Sequence, residues 1–164
     1  MNKQLLFASL VAVVLFGCAT PYQSSSFTGG FTDTQLAPDL FRIAFAGNGR
    51  TSRDRVQDFA LLRAAELSLA NNFRFFAVVE TADQSRNMTI TLPGSAQTSG
   101  TITGGYGNTA TYSGTTTYTP PQTQNIFNPG VGLLVRAFSE KPEGVFSYDA
   151  QFVNRSIKLK YDIK

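Results

Sequence analysis

The fold is decided by residues 40–70, which carry the sequence LFRIAFAGNGRTSRDRVQDFALLRAAELSLA. Large apolar residues alternate with others in Leu40–Ala46, which is the pattern of a strand with one buried face. The residues on that face are Phe41, Ile43 and Phe45. Gly47-Asn48-Gly49 breaks the alternation and predicts a turn, and good helix formers then continue to about Ala70. The stretch therefore predicts a strand, a turn and a long helix.

The predicted helix begins with a capping box, in which the Thr51 hydroxyl accepts a hydrogen bond from a backbone N–H and Asp54 reaches back. Its apolar residues form two stripes, so both sides of the helix are expected to be covered. The first stripe contains Val56, Phe59, Ala60, Leu67 and Ala70, and the second contains Leu61, Leu62, Ala65 and Leu69. Arg63 can reach Glu66, three residues further on. This pair either marks a polar site or, as we expect, is a structural ion pair.

Further strands are predicted after this region. Phe73–Glu80 and Leu133–Phe138 are rich in apolar residues that favour strands, and Val145–Tyr148 begins a fourth strand. Ala150–Lys158 has the spacing of a short helix followed by an extended tail, although the alternation in residues 157–163 fits a strand equally well. The predicted fold class is α+β: a small, mostly antiparallel sheet with one long helix packed on it and a short C-terminal helix.

An uncharged insert separates the second and third predicted strands. No charged residue occurs from Asn87 to Val135, and Thr and Gly are abundant in residues 87–130. Within Thr101–Thr119 Thr or Ser alternates with other residues, and Ser113-Gly114 is a weak signal for a hairpin turn. One interpretation is a surface hairpin or loop. The other is a membrane-spanning hairpin over residues 98–119, but the arms around such a turn have only about half of the 9–11 residues required.

The N-terminal residues have the composition of an export signal. A positively charged head with Lys3 precedes the apolar run Leu5–Phe16, which is shorter than the roughly 20 apolar residues of a membrane-spanning helix. Leu15-Phe16-Gly17-Cys18 resembles a bacterial lipobox, in which the cysteine is acylated and the chain is cut just before it. We therefore expect cleavage between Gly17 and Cys18 and lipid on Cys18. An ordinary secretory signal and an N-terminal membrane helix are the alternatives.

This signal sets the expected organisation of the chain. Residues 1–17 form the signal peptide, residues 18–30 a flexible tether of small polar residues, and residues 31–164 one domain. Ala19 is not the aspartate that keeps lipoproteins in the inner membrane of enterobacteria, so the outer membrane is favoured. The expected partner of Cys18 is membrane lipid, and the domain is expected to face the periplasm.

Composition excludes several kinds of chemistry. The chain has no histidine, which excludes serine–histidine catalysis and the commonest zinc ligand. It has one cysteine, so acylation of Cys18 also excludes a cysteine nucleophile and a thiolate metal site. The formal charge of +3 is too small to indicate nucleic acid as a partner. Gly47-Asn48-Gly49 does not make a dinucleotide fingerprint, because Ser52 stands where the third glycine is required. No cofactor or metal is expected.

The expected function is non-catalytic: binding, or a structural role in the envelope, with a protein or peptidoglycan as partner. The alternative is an oligomeric pore or secretion-associated lipoprotein that inserts the hairpin of residues 98–119. The third hypothesis is a carboxylate-based envelope hydrolase, which needs two acids on either side of one cleft. Nothing in the spacing selects two of the candidates, which are Asp33, Asp39, Glu80, Asp83, Glu140 and Glu143.

Several blocks of the chain resemble a family of small, uncharacterised proteobacterial lipoproteins. They are Gly29–Asp33 with Leu36, Phe41–Ile43 through Gly47-Asn48, Thr51–Arg53, Leu62–Leu67, Phe75-Phe76, Tyr148–Ala150 and Lys160-Tyr161. The blocks cover most of the mature chain except the uncharged insert, which is longer here than we expect for the family. Asn72 stands where a glycine is usual. The family has no established activity, so the resemblance implies an envelope location and a domain, and no chemistry.

Overall fold

The structure is a computed structural model that describes residues 19–104, 107 and 110–164, so the predicted cleavage and lipidation residues, Gly17 and Cys18, lie outside the described residues. In chain order the elements are β1 (Gly30–Ala37), β2 (Leu40–Ala46), α1 (Arg53–Ala70), β3 (Phe75–Asp83), β4 (Arg86–Leu92), β5 (Ser95–Gly104), β6 (Ala110–Thr119), β7 (Gln122–Asn128), β8 (Gly130–Phe138), β9 (Tyr148–Asp149) and α2 (Ala150–Tyr161). They form two compact units. The larger unit contains residues 19–86 and 128–164 and is called the domain; the smaller, Asn87–Phe127, is called the ribbon.

The domain is built on a five-stranded antiparallel sheet with the strand order β1-β2-β8-β3-β9. This architecture, with α1 packed on the sheet and a short C-terminal helix, confirms the predicted α+β fold. β2 lies between β1 and β8, with Ile43 opposite Asp33 on one side and Leu133 on the other. The face predicted for β2 is the buried one, since Phe41, Ile43 and Phe45 are each at most 1% exposed.

Several boundaries of the strands differ from the predictions. β3 begins at Phe75 and continues to Asp83, because a bulge at Val79 lets the strand keep pairing with β8 beyond the predicted end. The strand expected from Val145 consists of Tyr148–Asp149 alone. The sequence does not predict β1 because its residues are mostly polar and exposed, and because the strand pairs along one edge only.

The ends of the two helices also differ in part from the predictions. α1 ends at Ala70 as predicted, but its N-cap is Ser52, whose Oγ accepts the N–H of Arg55 at 3.2 Å. The predicted capping box is wrong because the Thr51 hydroxyl is hydrogen-bonded to other segments. α2 runs to Tyr161, so the first half of the tail predicted to be extended, residues 159–161, is helical. Neither helix in the described part of the chain is long and apolar enough to cross a membrane.

Buried residues occur on more than one side of α1, but the stripes are placed differently from the prediction. Leu62 is fully buried because α2 covers its face. Asp58 and Glu66, one turn before and one turn after Leu62, form ion pairs with lysines of α2. Leu67 of the first predicted stripe is only partly buried, and Leu69 of the second is 38% exposed. The buried residues of α1 are Val56, Phe59, Ala60, Leu62, Ala64, Ala65 and Ser68.

The ribbon carries two two-stranded sheets, β4 with β7 and β5 with β6. β5 and β6 are antiparallel and contain ten residues each, and all ten residues of β5 are exposed. The turn predicted at Ser113-Gly114 is wrong, since Gly114 lies opposite Gly100 in the middle of the pairing. A turn at Ser113-Gly114 would leave strands of about four residues on each side. The alternation of hydroxyl and other side chains continues through Ser113-Gly114, and it supports a pairing of ten residues in each strand.

Replacing Leu62 with Ala is expected to lower the free energy of unfolding by about 2–5 kcal/mol, because the substitution leaves a cavity between α1 and α2. The same change at Leu69, which is 38% exposed, is the matched control and is expected to cost about 1 kcal/mol or less. Urea denaturation of the two variants measures both values. Equal losses at the two positions would show that α2 does not cover Leu62.

Candidate functional site

Residues 19–29, which we call the latch, pack on the domain, and the prediction of a flexible tether is therefore wrong. Thr20 is completely buried. Its N–H donates to Oγ1 of Thr51 at 2.9 Å, and its own Oγ1 accepts the N–H of Asn48 at 2.9 Å. Thr20 Oγ1 also donates to the carbonyl of Thr28 at 2.8 Å, while Thr51 Oγ1 donates to Asn48 Oδ1 at 2.9 Å. The small polar composition predicts a tether, because composition does not reveal hydrogen bonds between residues that are far apart in the chain.

Glycines allow the latch to lie against the end of β2. Gly29 and Gly30 have φ values of +101° and +133°, and a Cβ on Gly29 would lie 2.3 Å from the carbonyl oxygen of Ala46. A Cβ on Gly47 would lie 2.7 Å from the Cβ of Thr51. The loop after β2 is thus a structural turn that receives the latch.

Tyr22 fixes the latch to α1. Its ring packs between Phe31 of β1 and Phe59 of α1, with centroids 5.0 and 5.5 Å from its own. Its hydroxyl donates a hydrogen bond to Oε2 of Glu66.

Glu66 is the centre of an ionic cluster that joins four segments. Arg63 lies 3.5 Å from Oε2 of Glu66, and Lys158 of α2 lies 3.2 Å from Oε1. The nearer partner of Arg63 is Asp33 of β1, at 2.8 Å, which sequence spacing does not reveal. Arg63 and Glu66 are therefore part of a cluster that connects the latch, β1, α1 and α2.

The cluster changes the titration of Tyr22. Burial raises the pKa of the Tyr22 phenol well above its usual value, and its hydrogen bond to the Glu66 carboxylate raises the pKa further. A group that transfers protons in catalysis needs a pKa near the working pH, and this shift moves Tyr22 away from it. The arrangement therefore suits a structural joint.

The latch lies at the same edge of the domain at which the chain returns from the ribbon. Thr20 is bonded to the loop of residues 47–51, and Gly47 in that loop donates its N–H to the carbonyl of Pro129 at 2.8 Å. Asn128, one residue before Pro129, is the first residue of the domain after the ribbon. We call this edge, made of the loop 47–51 and the start of β8, the base edge.

The paired strands β5 and β6 have two chemically different faces. On one face every side chain is Ser, Thr or Gln. On the other, Ile102 lies opposite Tyr112, and Tyr118 lies on the same face, each at least 58% exposed. A polar pair on this second face, Thr98 and Thr116, is joined by a hydrogen bond of 2.9 Å. The ribbon is therefore amphipathic without carrying any charge.

Four of the six acids considered for hydrolysis are either held in ion pairs or point to opposite faces of one strand. Asp33 and Asp39 form ion pairs with arginines at 2.8 and 2.9 Å. Glu80 and Asp83 point to opposite faces of β3, and Asp83 is three strand spacings, or about 14 Å, from the strand of Asp33. The remaining candidates, in the exposed loop after β8, are Glu140 and Glu143. Within the described residues, no group of three or more acidic, His or Cys residues is placed to hold a metal ion.

Comparison with known proteins adds no relative. No protein-family model matches the chain, and neither a curated protein nor a solved structure matches it. The features of this chain that bear on its function are the latch, the base edge and the ribbon.

Replacing Tyr22 with Phe is expected to lower the free energy of unfolding by about 1.5–3 kcal/mol, because Glu66 loses a donor in a charge-assisted hydrogen bond. The folded-state pKa of Tyr22 lies above its unfolded value of about 10, so the hydroxyl stabilises the domain fully below that pH and less as the pH rises beyond it. Urea denaturation near pH 7 and above pH 10 should show a steeper alkaline loss in the wild type than in the variant. Tyr118→Phe, on the exposed ribbon, is the control, and a similar loss in both variants would contradict the role of Tyr22.

Proposed function

We propose that this chain is an outer-membrane lipoprotein, anchored through Cys18, that acts by binding or as a structural part of the envelope and without catalysis. The observation that carries the proposal is the ribbon. All ten residues of β5 are exposed, and no charged residue occurs from Asn87 to Val135. A two-stranded hairpin that buries so little is marginally stable in water, so the ribbon is suited to completion by a partner.

The chemistry of the ribbon supports an envelope partner, either a protein or peptidoglycan. The Ser and Thr hydroxyls of one face donate and accept hydrogen bonds, as the hydroxyl and amide groups of peptidoglycan require. Tyr112 and Tyr118 on the other face offer exposed rings with a polar tip. The absence of charge from the ribbon sequence removes the cost of taking ions out of water when such a surface is covered.

The titratable groups support a role without catalysis. Asp33, Glu66 and Lys158 are held in the ionic cluster, and Asp39 is paired with Arg136. These pairs join elements of the domain to one another. We therefore expect neither cofactor nor substrate turnover.

One observation favours a second candidate, an oligomeric pore or secretion-associated lipoprotein that inserts its hairpin into the membrane. β5 and β6 have ten residues each, which matches the 9–11 residues of a membrane-spanning strand. The objection that the predicted arms were too short does not apply to these strands. In lipid, the outer edges of one hairpin would leave backbone groups unsatisfied, so several copies would have to pair edge to edge.

Replacing Cys18 with Ser is expected to move the protein from the membrane to the soluble fraction or to leave it unprocessed, because acyl chains on Cys18 supply the anchor. Labelling of cells with radioactive palmitate should mark the wild type and not the variant. Ala19→Ser, which leaves the cysteine in place, is the control and should be labelled. A wild-type protein that takes up no palmitate would refute the anchor.

The pore candidate is tested by two lysine substitutions at neighbouring positions on opposite faces. If the hairpin spans lipid, Ile102→Lys should lower conductance in planar bilayers, because Ile102 would face lipid, where a lysine costs up to about 2–4 kcal/mol at the midplane and less toward the ends of the strand. Thr101→Lys, on the hydroxyl face, should keep conductance and shift selectivity toward anions. Wild-type protein without conductance, together with unchanged melting of both variants, would rule out the pore and leave the ribbon as a binding surface.

A further inference from the structure

A fully exposed aromatic residue lies at the tip of the latch. Phe27 has a relative exposure of 106%, and it occupies the turn between Ser26 and Gly29. Two backbone hydrogen bonds of 3.1 Å close this turn, one in each direction between Ser26 and Gly29. An exposed aromatic ring on a closed turn has apolar area that nothing in the domain covers.

The turn that carries Phe27 is held in place by polar side chains. Gln23 Nε2 donates to Oγ of Ser26 at 2.8 Å and to Oγ1 of Thr28 at 3.2 Å. Thr20, which is buried, donates to the carbonyl of Thr28 at 2.8 Å. The phenyl ring is thus directed away from the domain by a bonded turn.

The attachment point of the expected lipid lies close to this turn. Cys18 is two residues before Thr20, and consecutive Cα atoms are 3.8 Å apart. Thr20 is bonded directly to Thr28, the neighbour of Phe27. Two residues of chain span at most about 8 Å, so the expected lipid is attached a short covalent distance from a residue that is bonded to this turn.

The surroundings of Phe27 are compatible with lipid. No charged residue occurs from Ala19 to Thr32, so this segment itself carries no ion that has to be dehydrated when the turn approaches a bilayer. The exposed neighbours carry hydroxyl groups, which can bind to phosphate and glycerol oxygens at the interface. Phe is among the apolar residues that interfacial segments bury at the boundary between headgroups and acyl chains.

We propose that Phe27 is a second membrane contact, with its ring inserted at the headgroup boundary of the bilayer that holds the acyl chains of Cys18. This inference rests on the proposed lipidation of Cys18. The two membrane contacts are the lipid on Cys18 and the ring of Phe27. Because Thr20, between them in the chain, is buried and bonded to Thr51, they hold the base edge at the lipid surface. The domain then sits directly on the membrane and does not hang from a tether.

The chain contains no tryptophan, so Phe27→Trp introduces a single tryptophan, whose emission reports on position 27. The acylated full-length protein is purified in detergent and reconstituted into phosphatidylethanolamine–phosphatidylglycerol vesicles, with or without brominated phosphatidylcholine. Matched controls are Phe152→Trp and Phe146→Trp, because these rings are 70% and 77% exposed elsewhere on the domain. Phe27→Trp should emit at shorter wavelength and lose most of its emission to brominated lipid, several-fold more than either control.

The outcomes separate this inference from the anchor on which it rests. If the protein floats with the vesicles but Phe27→Trp is quenched no more than the controls, the second contact is refuted and the anchor stands. If emission shifts to shorter wavelength without quenching by lipid, the ring is covered by protein and the inference is refuted. If the protein does not float with the vesicles, the anchor fails and the inference fails with it.

Discussion

Thr20 joins the latch to the distant loop of residues 47–51, and the course of the N-terminal chain depends on it. Its hydroxyl binds Asn48 in the loop after β2 and Thr28 in the latch, while the neighbouring N–H binds Thr51 before α1. Thr20 is completely buried, so these hydrogen bonds form out of contact with water, and each contributes about 0.5–1.5 kcal/mol to stability. Together with the packing of the Tyr22 ring on Phe31 and Phe59, they keep the latch closed.

The two units are stabilised in different ways. The domain has a core in which aromatic residues of β2, α1 and β3 are fully buried, and the Glu66 cluster joins the elements around it. The ribbon has paired backbone and no comparable core, since its strand β5 is exposed along its whole length. The domain is therefore expected to unfold as a cooperative unit, whereas the ribbon depends on whatever covers its faces.

The sequence predicts the parts of the fold that rest on local periodicity. The alternation in β2 and the helix formers of α1 identify the central strand and the long helix, because their burial follows a simple period. The latch is not predictable in this way, since its position depends on hydrogen bonds between residues that are 28 and 31 positions apart. The Ser52 cap is missed for the same reason: Thr51, the stronger candidate by its spacing to Asp54, is used by Thr20.

Amide hydrogen exchange at Thr20 tests the closed latch most directly, and with it the claim that the domain is held at the membrane without a tether. The N–H of Thr20 is donated to Thr51 at a buried site, so it should exchange as slowly as amides in the central strand β2, such as that of Ile43. Exchange of Thr20 at the rate of an unstructured peptide, with Ile43 still protected, would contradict the account.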